Sequence, residues 1–298
     1  MVARARLAVT LGDPRGIGAE VVAKALADPR VRDAVEPTIV GPSGTPVNAD
    51  LSVGTWRADG TPADAGRLAG LAIERAVRLA RSGAVQGVVT APIDKHAFHE
   101  GGYAWPGHTE MLAALTGSRT AMMLASDRLR VVLATTHIAL RDVPAAVTAD
   151  AIAEAAHITI AGLRDWFGIA EPRIALCALN PHAGDGGRFG REDDDILAPA
   201  ARAARIAGPF SADTVFVRAL TGEFDAVIAP YHDVGMTAIK VASFGHAVNV
   251  TLGLPFPRTS PDHGTALDIA GQGVASAESM IEAMLLCARI ATTTTSLR

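Results

Sequence analysis

Short apolar runs bounded by glycine, proline or a polar cluster recur along this chain. Between them lie longer stretches with apolar residues every three or four positions. Residues 7–11 (LAVTL) read as a first strand, and 21–27, after GDPRGIGAE, as a helix. Residues 38–40 are a candidate second strand, while 41–65, rich in Gly, Pro, Asp and Thr, read as a surface excursion with little regular structure. Helical spacing over 65–82 leads to a buried run at 87–90, then APIDK, a Gly- and aromatic-rich loop at 101–109 and a helix start at 110–115. Further strands are predicted at 130–134, 173–179, 226–229 and 248–252, and helices over 149–166, 196–207 and 277–291. The closing TTTTSLR is expected to fray. This alternation predicts an α/β fold with a largely parallel or mixed sheet, in which ligands collect beyond the C-terminal ends of strands.

Three predicted strands run into a histidine: His137 after TT, His182 after NP and His232 after PY. Three neutral imidazoles brought together would suit Zn²⁺ or another borderline divalent ion, with a position left open for substrate. Each histidine alone reads equally well as a turn cap, so both readings stay open at this level. The stretch DAVIAPYHDVGMTAIK also carries Asp233 and Lys240. Apolar neighbours on both sides of Lys240 predict a partly buried amine, suited to charge balance or proton transfer. Lys95 and Arg258 are further cations placed to hold an anion, and GHT (107–109) and DGG (185–187) are small-residue loops that let backbone amides approach a phosphate. The Gly16–Gly18 pair is not a dinucleotide fingerprint. The third glycine that lets helix and strand pack closely is Val21 here, and a strand-to-helix turn with helix amides open to an anion fits better.

A chain of 298 residues allows one large domain or two ordinary ones, and 49% apolar against 19% charged residues is a globular balance. The net charge of −4 supplies no general basic field for nucleic acid. Cys177 and Cys287 lie in apolar runs and read as reduced core residues. The first apolar run is broken by Gly12 and Pro14, too early for a signal segment, and no run has membrane-spanning length. The expectation is a soluble cytoplasmic protein with neither nucleic acid nor membrane as partner.

Taken together, GDPRGIGAE, VTAPIDK, GHTE, TTHIALRDVP, NPHAGDGG, PYHDVG and NVTLGLPFPRTSPDHGTALDIAG resemble the 4-hydroxythreonine-4-phosphate dehydrogenase family, the pyridoxal phosphate biosynthesis enzyme and its paralogues. The resemblance covers nearly the whole chain. It implies a two-domain α/β fold like that of isocitrate and isopropylmalate dehydrogenases, with mixed sheets and an interdomain cleft. Residues 1–122 with 252–298 would carry the NAD-binding loop, and 123–251 the metal ligands and dimer contacts. It further implies a homodimer with shared active sites. A divalent metal (Zn, alternatively Mg, Mn or Co) would be held by His137, His182 and His232, at least one of them from the partner chain. Substrate-binding positions fall on His108, Thr109, Lys240, Asn249 and Arg258, and NAD or NADP on His263, Gly264, Thr265 and Ala266. Lys240 would serve charge balance or proton transfer, with Asp233 and Asp213 as orienting carboxylates.

The implied reaction is metal- and NAD(P)-dependent oxidation and decarboxylation of 4-phosphohydroxy-L-threonine. Val234, where many members carry glutamine, and Asp94, where asparagine is common, widen the choice. A paralogue acting on a phosphorylated threonate or erythronate, or on a cyclic diol carboxylate, is the alternative. A zinc hydrolase built on the same histidines is a further one, and it would need no nicotinamide.

Overall fold

The structure is a computed structural model that describes residues 4–296 except Phe244. The chain opens with β1 (Ala5–Thr10), α1 (Gly18–Ala27), α2 (Pro29–Ala34), β2 (Val35–Ser43), β3 (Leu51–Thr55) and α3 (Pro62–Arg81). It continues through β4 (Gly87–Thr90), α4 (Lys95–Glu100), α5 (His108–Thr116), β5 (Ala121–Ala125), β6 (Arg130–Leu133), α6 (Val143–Ala146) and α7 (Ala149–Asp165). Then come β7 (Ile174–Cys177), α8 (Ala198–Ala204), β8 (Ala207–Phe210), α9 (Ala212–Leu220), β9 (Ala226–Ala229) and α10 (His232–Ala242). β10 (Val248–Leu252), β11 (Arg258–Pro261) and α11 (Glu278–Ser296) close the chain. Two compact units result, residues 1–119 with 248–298 and residues 120–247.

In the first unit the strand order is β3-β2-β1-β4-β11-β10, parallel except for the antiparallel β10–β11 pair. All four residues of β4 and five of the six of β1 are buried, as strands covered on both faces require. A capping box between Thr61 and Asp64 starts α3, whose buried stripe includes Leu68, Ala72, Ile73 and Ala76. A Cβ at Gly66 would sit 1.8 Å from the Ala97 carbonyl oxygen, so only glycine lets α3 press against α4 this closely. That contact fixes the helix that begins at Lys95.

The second unit orders its strands β5-β6-β9-β7-β8, with β5 antiparallel to β6 and the other pairs parallel. Leu124, Val131, Leu133, Val215, Val227, Ala229 and Ile239 form its core. Both units are thus α/β with mixed sheets.

Some elements differ from the sequence reading. Residues 41–65 hold the end of β2 and all of β3, with Asp50 accepting the Ile39 amide at 2.8 Å. β3 is half-exposed, and the alternation of Leu51 and Val53 with Ser52 and Gly54 is too short to stand out among the surrounding Gly, Pro and Asp. β11 is absent from the predicted strands because its buried residues are Arg258, Thr259, Ser260 and Pro261, which form no apolar run. α11 runs on to Ser296 rather than fraying, and the Thr292 and Thr293 hydroxyls bond helix carbonyls one turn back; residues 297–298 lie outside the described set. Both cysteines are buried free thiols that burial pushes up to about 12, which leaves them unreactive. Among the described residues, no single helix is long and apolar enough to cross a membrane.

Candidate functional site

In the second unit, β6 and β9 run parallel and stay stitched beyond their ends. The Ala134 amide donates to the Ala229 carbonyl at 2.9 Å, and the buried Thr135 hydroxyl to the Pro230 carbonyl at 2.7 Å. This shared exit sets the His137 and His232 rings 5.6 Å apart between centroids. His232 opens α10, and its Nδ1 lies 2.7 Å from Asp233 Oδ1. A carboxylate on one ring nitrogen fixes the tautomer and leaves Nε2 as the free ligand atom. The strands stop at Leu133, Cys177 and Ala229, so three residues precede His137 and four precede His182, where the sequence reading placed two, while the two before His232 are as expected.

His182 lies apart from this pair. Its ring is 6.4 Å from Phe189, and among the described residues the three imidazoles do not fall within common coordination range in one chain. Two placements differ from the sequence expectation. Lys240 is exposed in the last turn of α10, not partly buried, because its side of that helix faces away from the Gly235–Ile239 stripe. Asp213 is exposed in the first turn of α9 and bonds none of the histidines, since α9 turns only Val215, Phe216 and Ala219 inward. Asp233 alone among the carboxylates proposed from sequence touches an imidazole.

The first unit holds a different device. Arg258, the first residue of β11, is 1% exposed; its Nη1 donates to the Thr251 hydroxyl at 2.9 Å and its Nη2 to that of Thr90. Among the described residues it makes no salt bridge, the Glu110 carboxylate acting on it only through its charge, and its Nε has no hydrogen-bond partner. Burial lowers the guanidinium to about 10, still charged at neutral pH. A buried cation with an unclaimed donor could hold an anion. His108 opens α5 with Thr109 beside it, and the helix has no side-chain cap, so its first amides are unclaimed. The His108 Nε2 is buried without a partner. Burial, then the charges of Arg258 and Lys95, hold its pKa well below 6.5. Asn249 lies on β10 opposite Ser260 of β11. Thr90 and Thr251 escaped the sequence reading, because threonines at buried strand ends carry no motif.

A neutral His108 has a stability consequence. Between its lowered pKa and about 6.5 the unfolded chain binds the extra proton, so its contribution is complete above about pH 6.5 and is lost as pH falls towards the lowered pKa. The slope reaches at most about 1.4 kcal/mol per pH unit. Urea unfolding at pH 7 and pH 5 should show His108→Gln with a smaller acid loss than wild type. Equal losses in the two proteins would rule this out.

The loop 262–277 is clasped by the first motif. Ile17 donates its amide to the Thr265 carbonyl at 3.0 Å, and Glu20 Oε1 accepts the Ala275 amide at 2.9 Å. Lys24 Nζ donates to the Gly273 and Ala275 carbonyls at 2.8 and 2.7 Å. A Cβ at Gly16 would strike Thr265. GDPRGIGAE therefore acts as an anchor for this loop, and the missing fingerprint glycine has no bearing on it. His263 has a buried Nε2 without a partner, and Ala266 takes a positive φ of 44°. An orphaned ring nitrogen in an anchored loop suits a polar cofactor group. Asp94 caps α4 through the Ala97 amide at 2.8 Å and faces Arg15 at 3.4 Å, which accounts for a charge at that position.

The model of the family described as pyridoxal phosphate biosynthetic protein PdxA matches residues 18–287. The chain belongs to that family. A 4-hydroxythreonine-4-phosphate dehydrogenase of Desulfosudis oleivorans is 42% identical, over 94% of each chain. A Bradyrhizobium diazoefficiens relative with a provisional D-threonate 4-phosphate dehydrogenase name is 41% identical, over 96% of each. The solved 4-hydroxythreonine-4-phosphate dehydrogenase of Klebsiella pneumoniae superposes with a TM-score of 0.86 at 38% identity, covering 97% of this chain and 98% of its own. With that membership the chain is an oxidoreductase, and the family in general implies NAD(P) and a divalent metal.

Proposed function

We propose that the chain oxidises the secondary alcohol of 4-phosphohydroxy-L-threonine with NAD(P) as acceptor and releases the neighbouring carboxylate as CO₂. The observation that carries this reading is the imidazole pair, His137 and His232, 5.6 Å apart with His232 oriented by Asp233. A borderline divalent ion, Zn²⁺ foremost, fits that donor set, and when bound it would lower the pKa of the substrate hydroxyl and polarise the oxygen next to the departing carboxylate. Arg258, the first amides of α5 and Lys95 hold an anionic end of the substrate. His108, kept neutral, adds a hydrogen bond there through Nε2 without adding charge. Lys240, exposed on α10, supplies charge balance or a proton once substrate is in place. The clasped loop at His263, Gly264, Thr265 and Ala266 holds the dinucleotide.

A second copy of this chain completes the metal site. His182 stands outside the reach of the His137–His232 pair, and large apolar side chains lie bare beside the candidate residues. Leu140 is 68% exposed and Val241 81%, with Ile138 and Phe189 each near half. Apolar exposure of this kind at candidate ligands suits a subunit contact.

A D-threonate 4-phosphate substrate is the second reading, favoured by the Bradyrhizobium relative and by Val234, which packs against the core one residue after Asp233 instead of offering a polar group. Family membership among dehydrogenases leaves the hydrolase without support. The test is a panel of phosphorylated four-carbon hydroxy acids with NAD and with NADP. The highest kcat/KM is expected for 4-phosphohydroxy-L-threonine; a tenfold preference for D-threonate 4-phosphate would replace it, and silence across the panel would refute both.

A further inference from the structure

The loop that carries His182 has an unusual backbone. His182, Ala183 and Asp185 take φ of 53°, 55° and 46°, and Gly184, Gly186 and Gly187 take 83°, 64° and 88°. Six consecutive residues are thus left-handed, three of them with side chains that disfavour it. Such a run persists only where its surroundings over-determine it. The surroundings are the acidic segment 192–195. Asp193 is 1% exposed, whereas Asp194 and Asp195 face solvent. Its Oδ1 accepts the Leu179 amide at 2.8 Å and its Oδ2 the Asn180 amide at 3.0 Å. Asn180 Nδ2 donates to Glu192 Oε2 at 2.8 Å, and a Cβ at Gly190 would fall 2.6 Å from that Nδ2. A π-helical turn, Asp193–Leu197, turns Asp193 inward.

We propose that Asp193 is the positioning residue for His182. Its buried carboxylate fixes the two amides immediately before the left-handed run, and Asn180 with Glu192 braces the other side. Together they set the direction from which the imidazole is presented. Charge-assisted bonds to backbone amides are strong and directional, and both Leu179 and Asn180 lie in the span between β7 and His182. Without the carboxylate the chain leaving β7 relaxes to ordinary backbone angles and the ring turns away. No sequence motif marks this residue, since it is one of three consecutive aspartates. The inference rests on the metal-dependent reading above, in which His182 is a ligand.

The test titrates the full-length protein with Co²⁺ and follows its visible spectrum, which reports ligand number and geometry. Wild type should bind Co²⁺, and His182→Ala should bind it more weakly with a changed spectrum. Asp193→Asn keeps the side-chain shape but offers one acceptor where two are needed. It should lose about tenfold or more in Co²⁺ affinity, the scale seen when groups behind metal ligands are removed, with a changed spectrum. Asn180→Ala, which leaves Asp193 in place, should show a smaller loss in the same direction. Inorganic phosphate should protect all these proteins against thermal unfolding alike, because its site lies in the other unit. A folded Asp193→Asn protein with wild-type Co²⁺ affinity and spectrum would overturn the proposal. Should Asp193→Asn fail to fold, wild-type behaviour of Asn180→Ala would overturn it. A wild-type protein that binds no Co²⁺ would sink the metal reading itself, and the positioning role with it.

Discussion

Replacing His232 by alanine is expected to lower NAD(P) reduction by about three orders of magnitude or more, equivalent to about 4 kcal/mol of transition-state stabilisation. The fold should hardly notice. His232 is only half-buried, its bonded partner Asp233 is 83% exposed, and neither belongs to the core of the second unit. Substitutions away from buried networks stay within about 0.5 kcal/mol. A melting point near wild type with activity gone would separate chemistry from stability. The proposed sharing of the metal site between two copies of the chain adds a sharper readout. Mixed and reassembled with His182→Ala, the inactive His232→Ala chain should regain activity, because one site in each mixed dimer would then draw an intact His137–His232 pair from one chain and an intact His182 from the other. No recovery on mixing would place all three ligands in the same chain.

Arg258→Met is expected to raise KM for the phosphorylated substrate by about a hundredfold, while leaving the unliganded protein as stable as wild type. Arg258 is a buried cation with two threonine hydroxyls for company, and among the described residues it makes no salt bridge. A desolvated charge of this kind costs folding energy unless paired, and an apolar replacement of similar volume is often neutral or stabilising. An anion bound at Arg258 would offset that cost. In wild type, phosphate at a hundred times its Kd should add about 2.7 kcal/mol to stability. In Arg258→Met that protection should vanish. Arg258→Lys should recover little of it, since a single ammonium nitrogen lacks the planar fork whose two ends reach Thr251 and Thr90. A destabilised Arg258→Met protein that phosphate still protects would show the residue to be structural.

The alternation of buried runs made the α/β class legible, and strand-end histidines made the metal site a candidate. Both depend on local signals, namely apolar periodicity and residue type. What escaped was long-range. Asp193 reaches back fourteen positions to Leu179, so nothing in the string DDD shows which carboxylate turns inward. Arg258 carries no local sign of its burial, with proline on one side and polar residues on the other. Its burial comes from pairing between β4 and β10, which sequence proximity does not reveal. Lys240 and Asp213 were given orientations that only helix phase decides, and the phase of α10 and α9 turns both outward. GDPRGIGAE and Lys24 bond Thr265, Gly273 and Ala275 about 250 positions away, beyond the reach of any motif. β3 and β8 were hard to read for another reason, since both are short and half-exposed.

The central claim is that one chemistry, metal-dependent oxidation with loss of CO₂, is carried by these residues. It is tested most directly by measuring reduced nicotinamide and CO₂ together from 4-phosphohydroxy-L-threonine, with metal-replete protein and after chelation. One CO₂ per reduced cofactor, with both signals lost on chelation and restored by a divalent metal, is the predicted result. Turnover of the substrate without nicotinamide reduction, or undiminished reduction after complete metal removal, would contradict the account.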